Sequence, residues 1–303
     1  MASELSTLAR PAQEGSAKKP EGPLYILTLS CDDRIGIVAA LANFLVAHDC
    51  NIVESAQFND HDSGRFFSRV AFTPLSGETL DALERDFAAV ADKFGAVAKF
   101  YDTAVKLKAL ILVSKLGHCL NDLLFRNEIG AMPIDFVGVA SNHRQFERLT
   151  QNHGLSFDYL PITPDTKPQQ EAQLQALAEA KGAELIILAR YMQVLSDEFC
   201  TRWSGRIINI HHSFLPSFKG ANPYQRAHAR GVKLIGATAH YVTGDLDEGP
   251  IIEQDIHRVS HKMTADDFVA TGRDVEAQAL ARAVKWHAER RILMSGQRTV
   301  IFT

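Results

Sequence analysis

An alternation of short apolar runs with amphipathic stretches spans residues 107–189 and limits the folds open to this chain. The apolar runs are 107–114 (LKALILVS), 136–140 (FVGVA), 157–160 and 185–189 (LIILA). Between them, helical periodicity occurs at 119–127, 144–152 and 169–180. Apolar strands that alternate with amphipathic helices predict a parallel, doubly wound sheet. Ligands bind such sheets beyond the carboxyl ends of the strands, so we expect functional residues just after each strand.

The pattern continues beyond residue 189. A strand is predicted at 206–210, and the alternating runs 238–242 and 250–255 predict a hairpin joined by the glycine-bounded segment 244–249. A helix at 265–290 and a short strand at 299–302 complete this predicted α/β unit.

The first hundred or so residues have a different element order. Strands are predicted at 24–30, 51–59, 65–73 and 96–102, with helices at 37–48 and 78–94. The order βαββαβ is typical of the ferredoxin-like fold, an antiparallel sheet covered on one face by two helices.

The segment DRIGIV at 33–38, followed by NIV at 51–53, resembles the ACT family of small regulatory domains. The resemblance implies an amino-acid effector near Asp33, Gly36, Asn51 and Ile52, at an interface between paired domains. Two plainer interpretations stay open: Gly36 lets the helix pack closely and Asn51 is a turn residue, or the domain serves only for dimerisation. A homo-oligomer is expected in either case.

A length of 303 residues predicts two domains of unequal size. We place the small ACT-like domain at 23–103 and the larger α/β domain at 104–303. Residues 1–22 mix Ser, Ala, Pro, Glu and Lys without an apolar run, which predicts a disordered tail, no signal peptide or membrane anchor, and a cytoplasmic location.

Charge and cysteine usage exclude several functional classes. The net charge is -4 and no dense Lys/Arg block is present, so a nucleic-acid partner is not expected. The four cysteines, at 31, 50, 119 and 200, form no Cys-x-x-Cys pair, which predicts buried thiols rather than disulfides or a zinc site.

The strand at 206–210 leads into the segment with the clearest chemistry. Asn209 and His211 are two residues apart and therefore lie on one face of a strand. Downstream, the loop GDLDEG offers Asp245 and Asp247. Asn and protonated His can donate to the oxyanion that forms when water attacks a formamide, and a carboxylate can orient the His. Each residue alone is more often a turn, cap or surface residue.

A metal site is not expected in this segment. His212 is predicted to point away from the face that carries His211, so the two neighbours are not placed to bind one ion. No His-Glu-x-x-His motif or carboxylate-rich cluster supports a metal.

The sequence NIHHSFLPSFKG at 209–220, with DLDEG at 245–249, resembles the folate-dependent formyltransferases over residues 107–303. The resemblance implies a Rossmann-like formyltransferase domain whose catalytic trio is Asn209, His211 and Asp247. It also implies a folate-binding loop formed by Arg190, Tyr191, Met192, Gln193, Val194 and Leu195, and pocket-lining roles for Thr238 and His240. For the loop and the two strand residues, ordinary core packing is the competing interpretation.

The nature of the formyl acceptor depends on the first strand-to-helix loop. A nucleotide-phosphate acceptor would favour a glycine-rich loop, whereas residues 114–121 read SKLGHCLN and contain one glycine. This argues for water, although Lys115, His118 and Asn121 remain able to bind an anion. The resemblance, which pairs an ACT domain with this fold, therefore implies hydrolysis of 10-formyltetrahydrofolate to formate and tetrahydrofolate without a cofactor. This reaction would supply formate for purine synthesis. The alternatives are a glycinamide ribonucleotide formyltransferase and an amino-acid sensor with an inactive partner domain.

Overall fold

The computed structural model of this chain describes residues 22–215 and 223–303. The tail predicted for 1–22 lies outside the described residues except for Gly22, and so do residues 216–220 of the NIHHSFLPSFKG segment.

The N-terminal part, residues 25–102, folds around one antiparallel sheet. Its elements are β1 (Tyr25–Asp32), α1 (Ile37–Ala47), β2 (Cys50–Asp60), β3 (Arg65–Pro74), α2 (Leu80–Phe94) and β4 (Val97–Asp102). The strand order is β2-β3-β1-β4. Both helices pack on one face, where Leu27, Leu45, Phe72, Leu83 and Phe87 form a buried core. The predicted ferredoxin-like βαββαβ order is confirmed.

The other face of β3 is buried as well, because it contacts the C-terminal part of the chain. Arg69 is 3% exposed and donates through Nε and Nη2 to the carbonyl of Glu289, at 3.3 and 3.1 Å. Its Nη1 donates to Glu54, which also accepts from Arg291 at 3.0 Å. A polar contact network thus joins the N-terminal sheet to residues 289–291.

The C-terminal part, residues 107–301, contains a seven-stranded sheet with helices on both faces. Its strands are β5 (Leu107–Val113), β6 (Ile134–Ser141), β7 (Phe157–Tyr159), β8 (Leu185–Leu188), β9 (Ile207–His211), β10 (Leu234–Tyr241) and β11 (Ile251–Arg258). Its helices are α3 (His118–Glu128), α4 (Glu147–Asn152), α5 (Lys167–Ala180), α6 (Asp197–Arg202), α7 (Pro223–Arg230) and α8 (Ala265–Ala288). A ribbon of β12 (Ile292–Ser295) and β13 (Arg298–Ile301) follows.

The strand order β11-β10-β9-β8-β5-β6-β7 positions the site. Strands β5 to β9 are parallel, and β10 and β11 form an antiparallel hairpin, so the predicted mostly parallel, doubly wound sheet is confirmed. After β5 the chain builds outward through β6 and β7, then returns to add β8 on the other side of β5. The carboxyl ends of β5 and β8 flank this reversal, which is where such sheets open a ligand crevice.

The differences from the predicted elements concern short helices, the end of one helix and a short hairpin. Helices α6 and α7, of six and eight residues, are too short to show a clear apolar period. The predicted helix at 265–290 ends at Ala288, and the predicted strand at 299–302 is the second strand of a hairpin that turns at Gly296, whose φ is +60°. Among the described helices, none is long and apolar enough to cross a membrane.

Candidate active site

A cleft of about 750 Å³ opens at the carboxyl ends of the parallel strands β5, β8 and β9, and residues of the antiparallel β10 and of the turn after it also line the cleft. Its volume falls within the range of small-molecule sites. The structure brings together there most of the residues predicted from sequence: Asn209, His211, Asp247, His240 and all six residues of the segment 190–195.

His211 ends β9 and is held by the turn that follows β10. Its Nδ1 lies 3.1 Å from Oδ2 of Asp247, and its side chain is 7% exposed. The other ring nitrogen, Nε2, is buried and has no hydrogen-bond partner within the described part of the chain. Because an ionised carboxylate only accepts, Nδ1 carries a proton and Nε2 is the atom left for a ligand.

Asn209 lies on the same face of β9, opposite His240 of β10. Its Nδ2 is 3.2 Å from Nε2 of His240, whose Nδ1 lies 2.9 Å from the carbonyl of Tyr241. The carbonyl can only accept, so the neutral His240 ring donates through Nδ1 and accepts from Asn209. One hydrogen of the Asn209 amide therefore remains for a ligand.

Asp247, rather than Asp245, faces the two histidines. Its Oδ1 lies 3.7 Å from Nε2 of His240, and its backbone adopts a left-handed φ of +57°. Burial opposes ionisation of the carboxyl, but the hydrogen bond with His211 outweighs it and holds the pKa well below its usual range. The group is a carboxylate at neutral pH.

The prediction for His212 is wrong. Its ring stacks on that of His211, with centroids 5.1 Å apart and planes 30° apart, and it lines the same cleft. The strand ends at His211, so the alternation of strand side chains no longer applies one residue later. Burial, together with the nearby Arg190 and His211, lowers the pKa of His212 to about 4, which keeps the ring neutral at pH 7.

The segment 190–195 is fastened to the sheet beneath it. Ser114, at the end of β5, accepts from the backbone N–H of Met192 at 3.0 Å and donates to Oδ1 of Asn142 at 2.8 Å. The Tyr191 hydroxyl is bonded to Nε2 of Gln170 on α5 at 2.7 Å. Side chains of this segment therefore divide between anchoring and the cleft, and its backbone is fixed from below.

Thr238 does not line the cleft. It is fully buried on β10, where its hydroxyl donates to the carbonyl of Ser213 at 3.0 Å and accepts from the N–H of Leu215 at 3.1 Å. The hydroxyl thus fixes the chain after β9, so Thr238 has a structural role in the described part of the chain.

The residues predicted to bind an effector lie around the start of α1 and on the edge strand β2. Asp33 accepts from Nδ2 of Asn59 at 2.8 Å, and Ile52 is 39% exposed. Gly36 precedes α1 with a φ of +97° and an added Cβ would meet no atom within 4 Å, so backbone conformation and not close packing accounts for this glycine. Asn51 lies within β2, paired with Thr73, and is not a turn residue.

Known proteins are similar to this chain in sequence and in fold. Residues 107–284 match the family model described as formyl transferase. The formyltetrahydrofolate deformylase of Corynebacterium sp. (strain P-1) is 52% identical over 278 residues, which cover 91% of this chain and 97% of that protein. The chain belongs to the formyltetrahydrofolate deformylase family.

A solved member of the deformylase family extends the match to three dimensions. The crystal structure of formyltetrahydrofolate deformylase from Burkholderia mallei ATCC 23344 is 54% identical, has a TM-score of 0.89 and covers 93% of this chain and 100% of its own. Glycinamide ribonucleotide transformylase 1 from Symbiobacterium toebii is more distant, at 30% identity and a TM-score of 0.61 over 67% of this chain. The deformylases thus match both halves of the molecule.

The cleft of this deformylase-family chain also contains a second carboxylate that the sequence analysis missed. Glu276 of α8 is 1% exposed; its Oε1 accepts from the Tyr224 hydroxyl at 2.7 Å, and its Oε2 lies 2.8 Å from Nε2 of His118 and 3.3 Å from Nε of Arg190. Burial opposes its ionisation, but the His118 hydrogen bond and the Arg190 charge lower its pKa. In the sequence, Glu276 is visible only as a single acidic residue on the apolar face of a helix, beside Ala279 and Leu280.

His118, Cys119 and Glu276 bring three atoms that can bind metal ions within 4.8 Å of one another. Glu276 is already bonded to His118 and Tyr224, and the guanidinium of Arg190 next to it opposes a second cation. The absence of a metal from the chemistry stays a prediction.

Proposed function

We propose that this chain hydrolyses 10-formyltetrahydrofolate to formate and tetrahydrofolate, with water as the formyl acceptor and no cofactor. The observation that carries the proposal is the arrangement of His211, whose Nδ1 contacts Asp247 while Nε2 stays unpartnered beside Asn209. Relatives named formyltetrahydrofolate deformylase support it at 52 and 38% identity over 91% of the chain.

In the proposed mechanism, the water oxygen attacks the formyl carbon and the carbonyl electrons move to oxygen. The oxyanion accepts hydrogen bonds from Nδ2 of Asn209 and from Nε2 of protonated His211. Asp247 stabilises the imidazolium through Nδ1 and orients the water. Water loses one proton and N10 gains one proton as the C–N bond breaks, so the products are formate and tetrahydrofolate.

Two alternative functions, a formyltransferase and an amino-acid sensor, are less well supported. A glycinamide ribonucleotide formyltransferase would use the same folate donor, but the loop at 114–121 lacks a glycine-rich phosphate cradle, and the transformylase match covers only 67% of this chain. An amino-acid sensor with an inactive catalytic domain is opposed by the contact between His211 and Asp247 and by the open cleft around them.

The decisive experiment measures formate and tetrahydrofolate release from 10-formyltetrahydrofolate by purified protein in metal-free buffer, with and without glycinamide ribonucleotide. Release without the ribonucleotide is the expected result. Turnover only in its presence would assign the transformylase reaction, and no turnover together with tight amino-acid binding would assign the sensor.

We further propose that residues 23–103 form an ACT regulatory domain, residues 104–303 the catalytic domain, and that the enzyme is a cytoplasmic homo-oligomer that balances one-carbon folate pools. The βαββαβ order and the exposed apolar residues Ile35, Val38, Ile52 and Val53 near the proposed effector site support an interface there. Light scattering tests the oligomer, and thermal shifts with free amino acids test the effector. A monomer with no amino-acid response would contradict both.

A further inference from the structure

The carboxylate of Glu276 stands beside the first turn of α3. His118 and Cys119 are the first two residues of that helix, and their Nε2 and Sγ atoms lie within 4.8 Å of the Glu276 carboxylate. The start of a helix carries partial positive charge and free N–H groups, which favour an anion such as phosphate. Here a carboxylate of the protein itself lies near that position.

Two side chains that are suited to binding an anion are already engaged with this carboxylate. His118 contacts it at 2.8 Å and Arg190 at 3.3 Å, and Arg190 is 8% exposed with an Nε that makes no hydrogen bond within the described chain. The guanidinium therefore lies at the cleft as a buried cation whose Nε is paired with Glu276, and the carboxylate balances its charge.

We propose that Glu276 is a specificity-determining residue that excludes acceptors bearing a phosphate group, so that water remains the formyl acceptor. The proposal rests on the proposed function. A phosphate that approached α3 would meet a buried anion where the low dielectric strengthens repulsion, and it would have to displace Glu276 from Arg190 and His118. Uncharged water meets neither obstacle.

The test compares wild type with Glu276→Gln, which keeps the size of the side chain and removes its charge. Ribose 5-phosphate and inorganic phosphate are the probes, and their binding is measured by thermal shift and by competition with 10-formyltetrahydrofolate hydrolysis. We expect Glu276→Gln to bind ribose 5-phosphate at least about tenfold more tightly than wild type, since Arg190 becomes available. Glu253→Gln is the matched control, because it also loses a carboxylate that binds an arginine of α8, Arg282 at 2.9 Å, but lies outside the cleft.

Equal phosphate binding by wild type, Glu276→Gln and Glu253→Gln would overturn the proposal. Tyr224→Phe provides a second variant, since it removes one hydrogen bond and keeps the carboxylate; a gain in phosphate binding there would show that charge is not the cause. Wild type that binds ribose 5-phosphate tightly would also overturn it, whatever the fate of the variants. Thermal shift needs no turnover, so a chain that fails to hydrolyse the folate can still pass or fail this test.

Discussion

Nδ1 of His211 lies 3.1 Å from Oδ2 of Asp247, although the two residues are supplied by the end of one strand and the turn after the next. This contact fixes the imidazole ring and assigns its proton. Nε2 is left without a hydrogen-bond partner among the described residues, and Asn209 lies on the same face of β9 and lines the same cleft.

Replacement of Asp247 by Asn is expected to lower kcat at least about 100-fold, because an amide no longer stabilises the His211 imidazolium. Asp245→Asn, in the same turn, is the control and should retain nearly full turnover. Formate release by both variants checks the prediction. Comparable losses in the two would show that the turn as a whole matters rather than the Asp247 carboxylate.

Ser114→Ala is expected to raise KM for the folate about tenfold with a smaller effect on kcat. The substitution leaves the Met192 N–H and the Asn142 side chain without their hydrogen-bond partner, which costs about 1–3 kcal/mol. The 190–195 segment is then held less firmly in its binding position. Steady-state kinetics separate the two parameters. Ser156→Ala removes an exposed hydroxyl that bonds Lys181 outside the cleft and should leave both unchanged; a fall in kcat alone for Ser114→Ala would contradict the positioning role.

Acid is expected to destabilise the fold through His212. Its pKa is about 4 in the folded protein against 6.5 for a free group, so between these values the unfolded chain binds more protons. The contribution of His212 to the free energy of unfolding is therefore complete above pH 6.5 and is lost as the pH falls towards 4. Denaturant titrations across this window should show a weaker pH dependence for His212→Gln. His257→Gln, at an exposed position, should behave as wild type, and parallel curves for all three proteins would refute the assignment.

Arg69→Met is expected to lower the free energy of unfolding by about 2–3 kcal/mol, because the carbonyl of Glu289 and the Glu54 carboxylate lose a buried charged donor. Arg65 pairs with Asp32 at the surface, so Arg65→Met should cost less than about 1 kcal/mol. Calorimetry of both variants makes the comparison. Similar costs would mean that the contact between the two halves adds little stability.

Local patterns predicted most of the fold and the parts of the site that lie on strands. The runs at 109–113 and 185–189 are apolar throughout because this part of β5 and all of β8 are buried on both faces, and that pattern is visible in sequence. Asn209 and His211 share a face because side chains alternate along a strand, which the sequence also shows.

The remaining features depend on contacts between distant segments. Glu276 becomes part of the cleft only when α8 packs against α3 and α7, and sequence shows merely an acid on an apolar face. The choice between Asp245 and Asp247 depends on the backbone of one turn, and the orientation of His212 depends on where β9 stops. Neither is encoded by a period of two or 3.6 residues.

Two residues of the cleft, Arg190 and Asp247, adopt left-handed φ angles of +65° and +57° that glycine tolerates at no cost. Each holds about 1–2 kcal/mol of backbone energy that the rest of the fold offsets. Glycine at 247 would relieve that backbone energy but would remove the carboxylate partner of the buried His211, so the strain is offset within the site itself. A thermostabilised enzyme therefore has to gain its stability elsewhere.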